Sequence, residues 1–330
     1  MNVVITGGTG FIGSRLALHC LQRGDAVTIL GQVNTEAERA NRDLLEERKA
    51  RVILASVTDT DAVSSSLTGA DTVIHLAAAQ HEMNIPDQRF WDVNVNGTRN
   101  VAEASANAGV AHFLHGSTIG VYDVESGVID ESSPCGPDNI YGRTKLEGER
   151  VALSYADRMH LVVVRIPEVY GPGDMRLLKL FRVIQKKKFF MIGRGENLHD
   201  LIFVGDLIEG FLGVLGTPDA KGEVFQFSGP GAITTNEMVA TIAAQLGAPP
   251  PKIRVPFLPI WVIAFVLERL LRPLGIQPPL HTRRMDFFKK SFQLSHAKAS
   301  SVFGFDPKTS FAEGARLTGL WYEETGHLSR

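Results

Sequence analysis

Short apolar, β-branched runs alternate with longer helical patterns through the first half of the chain. The runs fall at 3–5 (Val3-Val4-Ile5), 26–30, 52–54, 72–74, 112–114 and 161–164. They are apolar at consecutive positions instead of every second one, which suits strands covered on both faces. Helical stretches between them are predicted over 11–22, 36–48, 61–66, 92–107 and 141–155. This strand-helix-strand rhythm predicts an α/β fold, a doubly wound parallel sheet with helices on both sides. After Gly171-Pro172-Gly173 the texture changes, with proline clusters at 249–251, 256–259 and 278–279 and a helical ending over 311–325.

Composition narrows the partners. The 330 residues carry 34 Lys+Arg against 36 Asp+Glu, a net charge of -2, which gives no broad attraction to nucleic acid or an anionic membrane. Lys186-Lys187-Lys188 reads as a solvated helix end. Cys20 and Cys135 are too few for a disulfide scaffold or a thiolate metal site, and a reducing, cytoplasmic setting is expected. His19, His112 and His115 stand singly on apolar segments and read as satisfied core residues, so no metal is expected. The start, Met-Asn-Val-Val-Ile-Thr, carries no secretory pattern. The uncharged apolar stretch 255–267 is 13 residues long, short of the roughly 20 that span a bilayer.

Thr6-Gly7-Gly8-Thr9-Gly10-Phe11-Ile12-Gly13 follows the first strand and opens the first helix. Gly7 permits a tight turn, Gly10 lets backbone approach a pyrophosphate and Gly13 lets helix and strand pack closely, while helix N–H groups meet the negative charge. Gly7, Gly10, Phe11, Ile12 and Gly13 are therefore candidate dinucleotide contacts. The acidic residue that holds an adenosine ribose belongs at the end of the second strand. Leu30-Gly31-Gln32 stands there instead, with Arg39 and Arg42 on the next helix, which leaves NAD and NADP both open. The expected organisation is a Rossmann domain over 1–173, also receiving 199–235 because 203–204 and 224–227 again read as buried strands. Residues 174–198 and 236–330 then form a smaller, mixed C-terminal substrate domain.

Tyr141 and Lys145 are four residues apart, on one face of a predicted helix. A nearby ammonium favours the phenolate and brings a phenol into range as an acid or base near neutral pH. A hydroxyl from Ser117 or Thr118 would hold the substrate oxygen during hydride transfer to or from nicotinamide.

Thr6 to Gly13, His75-Leu76-Ala77-Ala78, Asn94-Val95-Asn96-Gly97-Thr98, Gly116-Ser117-Thr118 with Tyr122, Tyr141 to Lys145, and Arg165 to Asp174 occur in an order that resembles the extended short-chain dehydrogenases/reductases, the NAD-dependent epimerase/dehydratase family. The resemblance covers nearly the whole chain. It implies that Thr118 is the active-site hydroxyl, Tyr141 the acid/base, and Lys145 the group that binds the nicotinamide ribose and lowers the Tyr141 pKa. It also implies that Leu76, Ala77, Ala78 and the Pro167 backbone line the cofactor, and that helices 86–108 and 141–157 pair two subunits into a homodimer. In Leu54-Ala55-Ser56-Val57, Ser56 stands where the family has an Asp touching adenine, and Ser56 and Val57 are carried as cofactor contacts.

Nucleotide-sugar members hold a diphosphate with an Asn where this chain has Glu168, and an Arg where it has His199. A carboxylate facing a diphosphate is unfavourable, although Arg283 and Arg284 lie where a late family arginine does. Ser117, Tyr122, Glu168 and His199 are the candidate substrate contacts. The segment 255–271 is apolar on every helical face until Glu268, which fits a core helix, a lipid-like ligand or peripheral membrane contact. With Pro278-Pro279-Leu280, Phe303 to Pro307 and Trp321-Tyr322, this ending resembles the 3β-hydroxysteroid dehydrogenase branch. The expected activity is an NAD(P)-dependent oxidoreductase interconverting a secondary alcohol and a ketone on an apolar, steroid-like small molecule. The alternatives are a nucleotide-sugar epimerase/dehydratase with tightly held NAD, or a dinucleotide-sensing protein without chemistry.

Overall fold

The computed structural model describes residues 1–80, 85–124, 126–271 and 282–329. The elements run β1 (Asn2–Thr6), α1 (Phe11–Gln22), β2 (Ala26–Gly31), α2 (Glu36–Glu47), β3 (Arg51–Leu54), α3 (Thr60–Ser66), β4 (Thr72–His75), α4 (Asp87–Trp91), α5 (Gly97–Asn107), β5 (His112–Thr118), β6 (Ser126–Ile129), α6 (Ile140–Leu153) and β7 (His160–Ile166). They continue with β8 (Glu168–Tyr170), α7 (Leu178–Gln185), β9 (Met191–Ile192), β10 (Leu198–His199), β11 (Leu201–Phe203), α8 (Val204–Leu215), β12 (Val224–Gln226), β13 (Ile233–Thr234) and α9 (Thr235–Gln245). The chain closes with β14 (Arg254–Val255), α10 (Phe257–Leu271), α11 (Thr282–Lys289), β15 (Ser291–Leu294), α12 (Ala297–Phe303) and α13 (Phe311–Glu324). Local chemistry sets several starts: Thr35 and Glu38 form a capping box on α2, Asp59 caps α3 and Asn139 caps α6.

Seven strands form one parallel sheet in the order β12-β7-β5-β4-β1-β2-β3. The chain winds outward from β1 in both directions, so the order reverses between β1 and β4. Ligands of such sheets bind beyond the carboxyl ends of the strands at that point. Leu16, Phe211 and Phe227 belong to the core on one face, and Val63, Val101 and Ala152 to the core on the other. A third core, around Phe181, Met238, Ile242 and Tyr322, holds the C-terminal domain together. Two short parallel pairs join this part to the first: β15 with β6, and β11 with β8.

Several expectations change. Residues 203–204 are not a strand of the main sheet: Phe203 ends β11 and Val204 starts α8, whereas β12 does become the seventh strand. The helix expected over 92–107 starts earlier and is interrupted: α4 precedes it, 92–96 is a π-turn and only 97–107 is the α-helix α5. In the ending, Phe305 and Tyr322 are buried core residues, with Phe305 stacked on Phe227 at 4.4 Å. Pro278-Pro279-Leu280 lies outside the described residues, as do the Arg283 and Arg284 side chains. The core reading of 255–271 fails, because Ala264 is the one buried residue of α10. Fully burying a large aliphatic or aromatic side chain is worth about 1.5–3 kcal/mol, so this helix forgoes much of what a core helix contributes.

Candidate active site

The turn after β1 is shaped by backbone that side chains would obstruct. Gly7 has φ +70°, and a Cβ there would lie 2.8 Å from the Ala77 nitrogen. A Cβ on Gly13 would lie 2.5 Å from the Gly7 carbonyl, so α1 packs directly on the turn. Gly10 begins α1 without any side-chain cap, which leaves helix N–H groups for an anion. The turn opens into a cleft of about 1800 Å³ that runs along the carboxyl edge of the sheet into the C-terminal domain. Gly7, Gly10, Phe11, Ile12, Gly13, Gly31, Ser56, Val57, Leu76, Ala77, Ala78 and Pro167 all line it. A smaller cavity of about 600 Å³, beside Arg194 and Arg254, shares Phe257 and Phe288 with the cleft but none of the residues expected to do chemistry.

At the Gly31 end, a Cβ would meet Thr9 Oγ1 at 2.9 Å, so a side chain at this position requires Thr9 to shift. Glu38 and Asn41 on α2 line this end instead, while Arg39 and Arg42 do not. Glu38 accepts from the Asn34 and Thr35 nitrogens, and Arg42 is paired with Asp43 at 2.6 Å. Ser56 keeps a polar contact there, accepting from the Thr58 hydroxyl at 2.8 Å.

Midway along the cleft, Thr118, Tyr141 and Lys145 line one wall. Thr118 Oγ1 accepts from the Gly120 nitrogen at 3.1 Å and so anchors the turn that follows β5. That turn touches the start of α6 so closely that a Cβ on Gly142 would lie 2.4 Å from the Gly120 carbonyl. Lys145 is 2 % exposed, donates to the Gly116 carbonyl at 2.7 Å, and is pushed down by burial to a pKa of about 8. His75 and His115 lie nearby, and burial together with the Lys145 charge drives both pKa values down, keeping both rings neutral. His115 departs from the expectation of a satisfied core residue: neither ring nitrogen has a hydrogen-bond partner.

Of the expected substrate contacts, Ser117 and His199 line the cleft with their polar atoms engaged elsewhere, and Tyr122 does not line it. The Ser117 hydroxyl donates to Glu149 at 2.5 Å in a buried network that includes a bidentate pair from Arg165. Successive residues of a strand face opposite ways, so the Ser117 hydroxyl turns inward to Glu149 although both Ser117 and Thr118 border the cleft. Tyr122 does not line the cleft; it is buried under the Arg165 guanidinium, 4.8 Å from the ring centroid, and burial pushes its phenol up to about 12. His199 borders the cleft, but Nε2 is engaged with Thr235 Oγ1 at 2.9 Å and Asn197 Nδ2 at 3.0 Å, and its ring stacks on Phe287. Burial drives its pKa down to about 4, so it brings no charge. Glu168 does face the cleft, where desolvation raises its carboxyl pKa against the opposing pull of Arg176.

Other residues enter only through the fold. Asn94, in the π-turn, accepts from the Ala79 nitrogen at 2.7 Å and donates to the Ala79 carbonyl and to Thr144 Oγ1. It thereby ties α6 to the segment after β4, and a Cβ on Gly148 would lie 2.6 Å from the Asn94 carbonyl. Glu149 stands one helical turn after Lys145, a spacing that was visible in the sequence. At the far end, Lys289 and Lys290 join Arg176, Phe257, Leu258 and Trp261 around the cleft; the adjacent lysines were the available signal.

The family profile described as NAD dependent epimerase/dehydratase matches residues 3–227. An N-acetyl-alpha-D-glucosaminyl-diphospho-ditrans,octacis-undecaprenol 4-epimerase of Escherichia coli O157:H7 is 26 % identical over 98 % of this chain and 95 % of its own length. A 3beta-hydroxysteroid-dehydrogenase/decarboxylase isoform 2 of Arabidopsis thaliana is also 26 % identical over 96 % of this chain, which spans 61 % of that protein. The fold is shared with UDP-glucuronic acid 4-epimerase from Bacillus cereus, whose structure contains NAD, at a TM-score of 0.79 and 24 % identity over 98 % of this chain and 99 % of that one. With its seven-stranded sheet, its glycine turn and a profile match over most of its length, the chain is an enzyme that belongs to the NAD-dependent epimerase/dehydratase family of extended short-chain dehydrogenases/reductases.

Proposed function

We propose that the enzyme uses NAD to interconvert a sugar carried on a diphosphate, as an epimerase or dehydratase, in place of the steroid-like oxidation first expected. The observation that carries this reading is the single cleft joining the glycine turn to the wall of Thr118, Tyr141 and Lys145 and on to the cations Arg176, Lys289 and Lys290. The glycine cradle and the uncapped start of α1 fit a pyrophosphate. The carboxylate of Glu38, without a lining arginine beside it, supports NAD over NADP, since a 2′-phosphate would meet negative charge. Bound NAD supplies the oxidising and reducing chemistry at the sugar carbon. Tyr141 removes the proton from the sugar hydroxyl, the Lys145 ammonium favours the phenolate that does so, and the Thr118 hydroxyl orients the same oxygen. Arg176, Lys289 and Lys290 offset the diphosphate charge in the cleft that Glu168 also lines, where desolvation raises the Glu168 carboxyl pKa. The epimerase relatives from E. coli and B. cereus support the sugar over the steroid.

The test is to incubate the enzyme and NAD with UDP-sugars, dTDP-sugars, polyprenyl-diphosphate sugars and 3β-hydroxysteroids, following product and nicotinamide absorbance together. Sugar interconversion without accumulation of reduced nicotinamide is expected. Tyr141→Phe is expected to lower turnover by about 10²- to 10⁴-fold while NAD affinity holds. Steroid oxidation with stoichiometric cofactor reduction, and no turnover of any sugar, overturns the reading.

A further inference from the structure

We infer that α10 is a membrane-surface helix that docks the mouth of the cleft onto an anionic lipid bilayer. Leu258, Val262, Ile263, Phe265, Val266 and Leu270 are all exposed, Leu258 by 67 % and Leu270 by 62 %. At about 100° per residue these side chains form one broad apolar face, and contiguous apolar surface of this kind marks an interaction site. At 15 residues the helix is about 22 Å long, too short to cross a hydrocarbon core of about 30 Å, so it fits lying in the interface plane. Trp261 and Phe265 stack with ring centroids 5.5 Å apart, and the Arg269 guanidinium stands 5.2 Å over the Phe265 ring, a pairing suited to the boundary between headgroups and acyl chains.

Charge selects the occupant. Among the described side chains of 252–290, Lys252, Arg254, Arg269, Lys289 and Lys290 stand against one acidic residue, Glu268, in a chain whose net charge is -2. Two copies meeting through this surface would bring like charges together, whereas an anionic leaflet attracts them at about 1 kcal/mol for each basic residue near the surface. The overall charge balance conceals this because the acidic excess lies elsewhere. Position agrees with charge: Phe257, Leu258 and Trp261 belong both to α10 and to the cleft wall, so a bilayer on the exposed face borders the cleft mouth.

The experiment is flotation of the full-length protein with vesicles of phosphatidylcholine alone and of phosphatidylcholine mixed with phosphatidylglycerol. Binding to the mixed vesicles, weakened by salt, is expected. The double variant Val266→Asp/Leu270→Asp, which alters neither cleft lining nor core, is expected to bind them about tenfold or more weakly. Circular dichroism and NAD affinity of that variant should match the parent, which separates loss of docking from misfolding and from failure of the NAD reading. Absence of vesicle binding by the parent, or equal binding by the variant, overturns the inference. So does a halving of the solution mass in the variant, which would mean that a second copy covers this face.

Discussion

Lys145 carries a charge where the protein makes charge costly. Its buried ammonium releases its proton at a pH of about 8, against an ordinary 10.5. Turnover should therefore fall along a limb near pH 8, where Tyr141 loses its cationic partner, and Lys145→Met should abolish that limb while lowering turnover about a hundredfold or more in a pH–rate profile. The stability effect has the opposite slope. Between about 8 and 10.5 the unfolded chain binds more protons at this site than the folded one, so the contribution of Lys145 to stability is complete above 10.5 and is lost as pH falls through 8. Melting curves of parent and Lys145→Met across that window should converge as pH rises. The Tyr141–Lys145 pair was legible because a spacing of four is a property of any helix. Spacing alone left Ser117 and Thr118 equal and only the family resemblance pointed to Thr118, because the physical difference rests on Glu149 and Arg165 arriving from α6 and β7 behind the strand.

Among the elements, the β1–α1 turn shows how narrowly a local motif is constrained. Gly31→Asp, which would supply the ribose carboxylate expected from the motif, drives its Cβ against Thr9 Oγ1 at 2.9 Å. Crowding of this kind costs about 1–3 kcal/mol, so the variant should weaken NAD binding and lower the melting temperature. Adding Thr9→Ala, which removes the obstructing hydroxyl at the cost of its bond to the Gln32 carbonyl, should recover part of both losses, as titration calorimetry and thermal melts can check. The glycines themselves were readable because tight turns and close approaches restrict residue type wherever they occur. The π-turn at Asp92–Asn96 was not readable: its extra residue per turn is held by the bonds from Asn94 to Ala79 and Thr144, partners 15 and 50 positions away.

For the whole molecule, the relation between the two parts turns on contacts that no local pattern announces. Asp200 accepts from the Gly229 nitrogen and the Leu294 nitrogen, both at 2.9 Å, and so links the cleft wall to β15. Asp200→Ala leaves two buried N–H groups without an acceptor and should cost about 1–3 kcal/mol, read as a lower denaturation midpoint with unchanged far-UV circular dichroism. By itself the sequence determined the parallel sheet, the glycine turn and the Tyr-Lys helix face, because each rests on periodicity or residue type within one or two turns of chain. Tertiary structure alone decided that Ser117 turns to the buried Glu149 and Tyr122 to the Arg165 paired with it, that Glu38 lines the cleft near Gly31, and that 255–271 lies on the surface. Those outcomes depend on what packs behind a strand or beside a helix, and an apolar run has the same pattern whether protein or lipid covers it.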